Sequence, residues 1–143
     1  MSEYVYNPIH EVAVGQNVLL QDSIPCTRGY VIHRNGSGIL TLRGIVNNPC
    51  AKFARYKVEY NGNIAVPTGQ TVGEISLALA IDGEALQTSR ARVTTAAVEN
   101  YFNVTSVANI TVPAGCCLTI SVENTSATPI NVQNSNLTVD RTA

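Results

Sequence analysis

The sequence predicts an all-β protein, an antiparallel sandwich or barrel, and three observations lead there. Apolar and polar residues alternate with period two through most of the chain, while a helical apolar stripe is nearly absent. Short strand-like runs are separated at regular spacing by turn residues: Asn35-Gly36, Asn61-Gly62, Asp82-Gly83 and Pro113-Ala114-Gly115. The length, 143 residues, is that of one domain able to bury a core without cross-links.

Taken in order, residues 1–15 have apolar and aromatic character (Tyr4, Val5, Tyr6, Pro8, Ile9) but lack continuous alternation. They read as an N-terminal arm, and residues 16–143 read as the folded domain. Nine strands are expected in that domain, near 17–24, 29–34, 38–46, 53–61, 73–81, 84–93, 98–111, 116–123 and 129–140. In the fourth, "ARYKVEYNG", Tyr56, Val58 and Tyr60 share the inner face, and Arg55, Lys57 and Glu59 the outer. In the fifth, Ile75, Leu77, Leu79 and Ile81 lie on one face, with Ser76, Ala78 and Ala80 on the other. Asp82-Gly83 then joins two strands as a two-residue hairpin, because a type I′ turn needs positive φ at both central positions. The stretch "TTAAVENY" (94–101) is the one place where composition would allow a helical turn.

The adjacent cysteines in "VPAGCCLTISVEN" raise the question of chemistry. Along a strand, Cys116 shares parity with Leu118, Ile120 and Val122 and should point into the core, while Cys117 shares parity with Thr119, Ser121 and Glu123 and should point out. Two ligands facing opposite ways cannot hold one metal, and C-x₂-C spacing is absent. Both are expected to be packing residues, with Cys116 a small buried hydrophobe. Disulfides with Cys26 or Cys50 are not expected for a chain of cytoplasmic synthesis. The two histidines, His10 and His33, stand in no nucleophile or metal motif. "GSG" (36–38) reads as a hairpin turn and not as a phosphate cradle. The expectation is therefore no enzyme activity, no cofactor and no metal.

Charged residues make up 13% of the chain and the net charge is −1, which argues against a nucleic-acid partner. The N-terminus lacks the basic and apolar regions of a secretory signal, and no apolar run approaches the length of a membrane span.

The order of these elements is similar to a known family. "NVLLQDSIP" through "RGYVIHRNGSGILTLRGIV", followed by "ARYKVEYNGNIAVP", resembles the first half of the complement-head and tumour-necrosis-factor jelly roll. "GEISLALAIDGEAL" resembles its central hairpin, and "ITVPAGCCLTISVENTS" with "INVQNSNLTVDR" its closing strand pair. The resemblance spans residues 16–142, and bacterial and bacteriophage members, spore-surface filament tips and phage head-fibre or decoration domains among them, look most alike, as do small prophage proteins.

This resemblance implies an antiparallel jelly-roll sandwich assembled as a homotrimer, with Tyr56, Tyr60, Tyr101 and Phe102 as the aromatic candidates for the subunit interface. It implies a structural virion protein, made in the bacterial cytoplasm and incorporated into phage particles. Its partners would be its own copies and the major capsid or other virion proteins, with neither nucleic acid nor membrane. Residues 1–15 would be the attachment element. The alternative is a receptor-binding fibre tip that recognises a host surface glycan through the Asn- and Thr-rich segments 124–128 and 133–136.

Overall fold

The computed structural model describes residues 2–20, 22–24, 31–33, 38–44, 52–114 and 117–142. Twelve strands run through them: β1 (Ser2–Tyr6), β2 (His10–Val12), β3 (Asp22–Ile24), β4 (Val31–His33), β5 (Leu40–Arg43), β6 (Phe53–Ala65), β7 (Glu74–Ile81), β8 (Glu84–Ala85), β9 (Ala91–Thr94), β10 (Phe102–Pro113), β11 (Cys117–Asn124) and β12 (Ile130–Arg141). All pairings among them are antiparallel. One sheet has the order β10-β6-β12-β1-β3 with β2 also on β12; the other has β4-β5-β11-β7 with β8 and β9 both on β7. From β9 onward the chain changes sheet at every strand, so the two sheets are locked together by connections as well as by packing.

The core is the space between them. Tyr56, Val58, Tyr60 and Ile64 of β6 are buried with Ile110 and Val112 of β10 and Leu137 and Val139 of β12. Facing them are Leu40 and Leu42 of β5, Ile75, Leu77 and Leu79 of β7, and Ile120 and Val122 of β11, also buried. The alternation read from β6 and β7 is thus the alternation that buries them. At roughly 25 cal/mol per Å² of apolar surface removed from water, this layer supplies the main driving force for the fold. The Asp82-Gly83 hairpin forms with φ of 52° and 84°, positive at both positions as the type I′ turn requires.

The structure departs from the sequence expectations at four places. Residues 1–15 are not an arm outside the sandwich. β1 is inserted between β12 and β3, and β2 extends the same sheet. Tyr4 and Val12 are part of the core. The pairing partner supplied by β12, 129 to 137 residues further on, could not be seen in the local pattern. Asn61-Gly62 is not a turn, since both residues lie extended in the middle of β6 and pair with Thr105 and Val104. The expected strand at 84–93 is broken by a 3₁₀ turn at Gln87–Ser89. Within that turn, the Ser89 hydroxyl accepts from Leu79 N (2.9 Å) and donates to Leu86 O (2.7 Å). The strand expected from residue 98 begins only at Phe102; Glu99, just ahead of it, sits with φ of 56°, and residues 95–101 take no helical turn.

The outer face of β7 is covered by its own chain. Ser76, Ala78 and Ala80 are buried. Thr125 Oγ1 lies 2.7 Å from Ser76 Oγ, and the Ser126 hydroxyl accepts from Ser76 N at 2.8 Å. Thr125 and Ser126 follow the end of the β11 ladder at Asn124 and Leu77 and continue along that side of β7, with their hydroxyls spent on Ser76.

Candidate functional site

The residues expected at a subunit interface separate into two groups. Tyr56 and Tyr60 are buried within a single chain. The Tyr56 hydroxyl donates to Arg43 O (2.5 Å), and the Tyr60 hydroxyl lies 3.0 Å from Ser135 Oγ. Their side chains have no area left to offer a neighbour, because alternation that aims a tyrosine inward uses its surface in the core. Tyr101 is half-buried and Phe102 is 37% exposed. The expected attachment residues separate likewise. Tyr4 is buried and stacks edge-on to His33 (4.8 Å between centroids), and Val5 and Tyr6 are half-buried. Pro8 is exposed and Ile9 is 53% exposed, so the turn between β1 and β2 is the accessible part.

Cys117 is a free, exposed thiol, as its parity predicts. Cys26, Cys50 and Cys116 lie outside the described residues. Cys117 should therefore react with a thiol reagent in the folded protein, and Cys117→Ser should change stability by less than about 0.5 kcal/mol. Mass-spectrometric labelling in native buffer checks the first, and denaturant unfolding the second. Protection of Cys117 would mean that a partner covers it.

Of the two segments expected to present free polar groups, the first is used internally. Asn124 is buried, and its Nδ2 donates to Val12 O (3.0 Å) and Thr128 O (3.1 Å). Residues 133–136 are not a loop but a β-bulge inside β12, where pairing with β6 shifts between Gln133 and Asn136. Asn134, with φ of 56°, lies in the bulge. The extra residue reverses the parity of the strand: Asn131 and Gln133 face outward before it, Asn136 and Thr138 after it. Asn134 is also exposed, and Ser135 turns inward to Tyr60.

The bulge completes a polar cluster on the outer face of the first sheet. β6 contributes Asn61 and Asn63, and β10 contributes Tyr101, just ahead of the strand, with Asn103 and Thr105 at the same parity. Asn103 Nδ2 donates to Asn61 Oδ1 (2.7 Å) and to Asn63 Oδ1 (3.2 Å). Asn63 Nδ2 donates to Asn134 Oδ1 (3.2 Å), and Asn134 Nδ2 in turn donates to Asn7 Oδ1. At the rim, the Glu99 carboxylate accepts from Thr68 N (3.1 Å), Thr68 Oγ1 (3.3 Å), Asn131 Nδ2 (3.1 Å) and Tyr101 OH (3.2 Å). These bonds, the backbone N–H of Thr68 foremost, hold the Glu99 carboxyl below its ordinary pKa. Burial first, and then the adjacent Glu99 charge, push the Tyr101 hydroxyl up.

The other end of this face is charged. Lys57 and Glu59 form an ion pair (3.0 Å) beside a depression of about 100 Å³ lined by these two with Thr138 and Asp140. Arg55 stacks on the Phe53 ring at 4.9 Å. Among the described residues no three His, Cys, Asp or Glu side chains converge as metal ligands. Of the two histidines, His10 accepts from Leu19 N through Nε2 (3.3 Å) with Nδ1 toward Pro8 O (3.4 Å), and burial lowers its pKa. What the cluster offers chemically is a set of oriented carboxamide donors and acceptors.

No family model matches the sequence, and neither does any curated protein. Solved structures do match. Eiger, a tumour necrosis factor from S. frugiperda, superposes with a TM-score of 0.68 at 12% identity, covering 100% of this chain and 92% of that one. This chain is a jelly roll of the tumour-necrosis-factor type. The globular domain of the zebrafish complement 1qA protein agrees, with a TM-score of 0.58 at 14% identity over 94% of this chain and 93% of that one. In this jelly roll the carboxamide cluster lies across β10, β6 and β12, adjacent strands of one sheet. The sequence reading missed it because its members are scattered from Asn7 to Asn134; the one local sign was the density of Asn on the outward parity of β6 and β12.

Proposed function

We propose that this jelly roll is a non-catalytic structural protein of a phage particle, a homotrimer that decorates the capsid or forms a short head fibre. The observation that supports it most directly is apolar surface left open on a single chain. Phe53 (40% exposed) and Val107 (47%) lie on the outer face of β6 and β10, toward the end that carries Lys57 and Glu59. Neighbouring copies laid against this charged end would cover them and leave the carboxamide end open, at roughly 25 cal/mol for each Å² removed from water. Attachment to the capsid is assigned to the Pro8–Ile9 turn, because Ile9 is an exposed large apolar side chain at a strand connection.

Light scattering at micromolar concentration should give about three times the 15.2 kDa chain mass. A monomer would overturn the trimer. Ile9→Asp should leave that mass unchanged while lowering incorporation into assembling phage particles at least tenfold. Normal incorporation of this variant would remove the turn from the attachment role.

A further inference from the structure

We infer that the carboxamide end of the first sheet is a binding site for a neutral saccharide, with Tyr101 as the stacking platform and Asn61, Asn63 and Asn103 as the hydrogen-bonding groups. This goes beyond a structural role and does not depend on the number of subunits. Exposed asparagines ordinarily rotate freely, and fixing them on binding costs free energy. Here the network has set them beforehand: Asn103 spends both amide hydrogens on Asn61 and Asn63, and Asn63 donates to Asn134. The orientation of each amide follows, and bonding capacity remains: among the described residues Asn61 Nδ2 has no partner and Asn63 Oδ1 accepts from Asn103 alone, whereas Asn61 Oδ1 is also reached by Thr105 Oγ1 (3.4 Å).

The ligand class follows from what the cluster holds. A preset array of neighbouring amide donors and acceptors suits the paired hydroxyls of a sugar, which both donate and accept. No Arg or Lys belongs to the network, so nothing favours a phosphate or carboxylate. The Glu99 carboxylate accepts four hydrogen bonds already, so it is poorly placed to attract a cation. Tyr101 stands two residues before Asn103 at the same parity, and its hydroxyl is tied to Glu99 Oε2 (3.2 Å), which steadies the ring. A half-buried aromatic ring beside oriented amides offers an apolar surface for the C–H face of a sugar ring.

Isothermal titration of the full chain with mannotriose, maltotriose and chitotriose, each at millimolar concentration, tests this. At least one should bind. Asn103→Ala and Tyr101→Ala should each weaken that binding at least tenfold, Tyr101→Phe should retain it within threefold, and Asn109→Ala, on the charged half of β10, should leave it unchanged. Circular dichroism of each variant separates lost binding from lost fold, and Tyr101→Phe keeps the ring where Tyr101→Ala does not. Absence of binding by all three sugars overturns the proposal, as does wild-type binding by Asn103→Ala. A fall in light-scattering mass for Asn103→Ala also overturns it, by making the cluster a subunit interface. Because the wild-type mass is read separately, failure of the trimer and failure of the sugar site are distinguishable.

Discussion

Tyr60→Ala should destabilise the protein by about 3–5 kcal/mol, the range for removing a large buried aromatic. Tyr60 sits in the middle of β6 with its ring lying along the strand over Gly62. A Cβ added at Gly62 would overlap the tyrosine hydroxyl and approach Cζ to 2.9 Å. Glycine at 62 is therefore a condition for the tyrosine's position, and the tyrosine in turn covers backbone that glycine leaves bare. The hydroxyl then reaches Ser135 in the bulge of β12. One side chain thus fills the core, shields the glycine and pins the bulge that orients the carboxamide cluster.

Tyr60→Phe should cost about 1–3 kcal/mol by leaving the buried Ser135 hydroxyl without its partner. The same contact has a pH signature. Burial, offset in part by Ser135, raises the Tyr60 pKa from 10.0 to about 12. The unfolded chain loses this proton first, so the stabilisation is complete below pH 10 and is lost as pH rises from about 10 to about 12, a change on the order of 2–3 kcal/mol. Denaturant unfolding at several alkaline pH values should show this loss in the wild type and less of it in Tyr60→Phe. Equal slopes would mean that Tyr60 is not the group responsible.

Asn124→Ala should cost on the order of 3–4 kcal/mol, since losing a buried hydrogen-bond partner costs about 1–3 kcal/mol for each group left unpaired. Asn124 is 1% exposed at the end of β11. Its amide donates to Val12 O, Ala13 O (3.4 Å) and Thr128 O, while its Oδ1 accepts from Ser126 N (2.9 Å). The side chain ties the N-terminal segment to the connection between β11 and β12. Asn124→Asp should be worse at neutral pH, because a carboxylate would face carbonyl oxygens. Those oxygens would raise the folded-state pKa of the new carboxyl above the unfolded value of about 3.9. The defect should therefore be smallest near pH 4 and grow as pH rises. A variant equally unstable at pH 4 and pH 7 would show that the charge is not what matters.

Much of this architecture is legible locally. The inward parity of β6 and β7, the type I′ hairpin at Asp82-Gly83 and the outward Cys117 all follow from the geometry of an extended chain, where neighbours face opposite ways. Even the bulge in β12 left a mark: apolar residues fall on even numbers at Ile130 and Val132, then on odd ones at Leu137 and Val139. The reading of that segment as one plain strand overlooked the change.

Alternation of side chains along each strand is a local property, so the sequence by itself determined that this protein is an antiparallel β-sandwich and which side chains of its main strands are buried. It did not determine what lies beside each strand, because pairing is a contact between distant segments. Only the tertiary structure placed β1 against β12, turning an apparent arm into part of the sheet. Only it set Gly62 beneath Tyr60, making an apparent turn the middle of a strand, and gathered Asn7, Asn61, Asn63, Asn103 and Asn134 onto one face. An asparagine's own neighbours in sequence say whether it faces outward. Which other asparagines it meets there depends on strand order and register, and these are chosen by the burial of the opposite face.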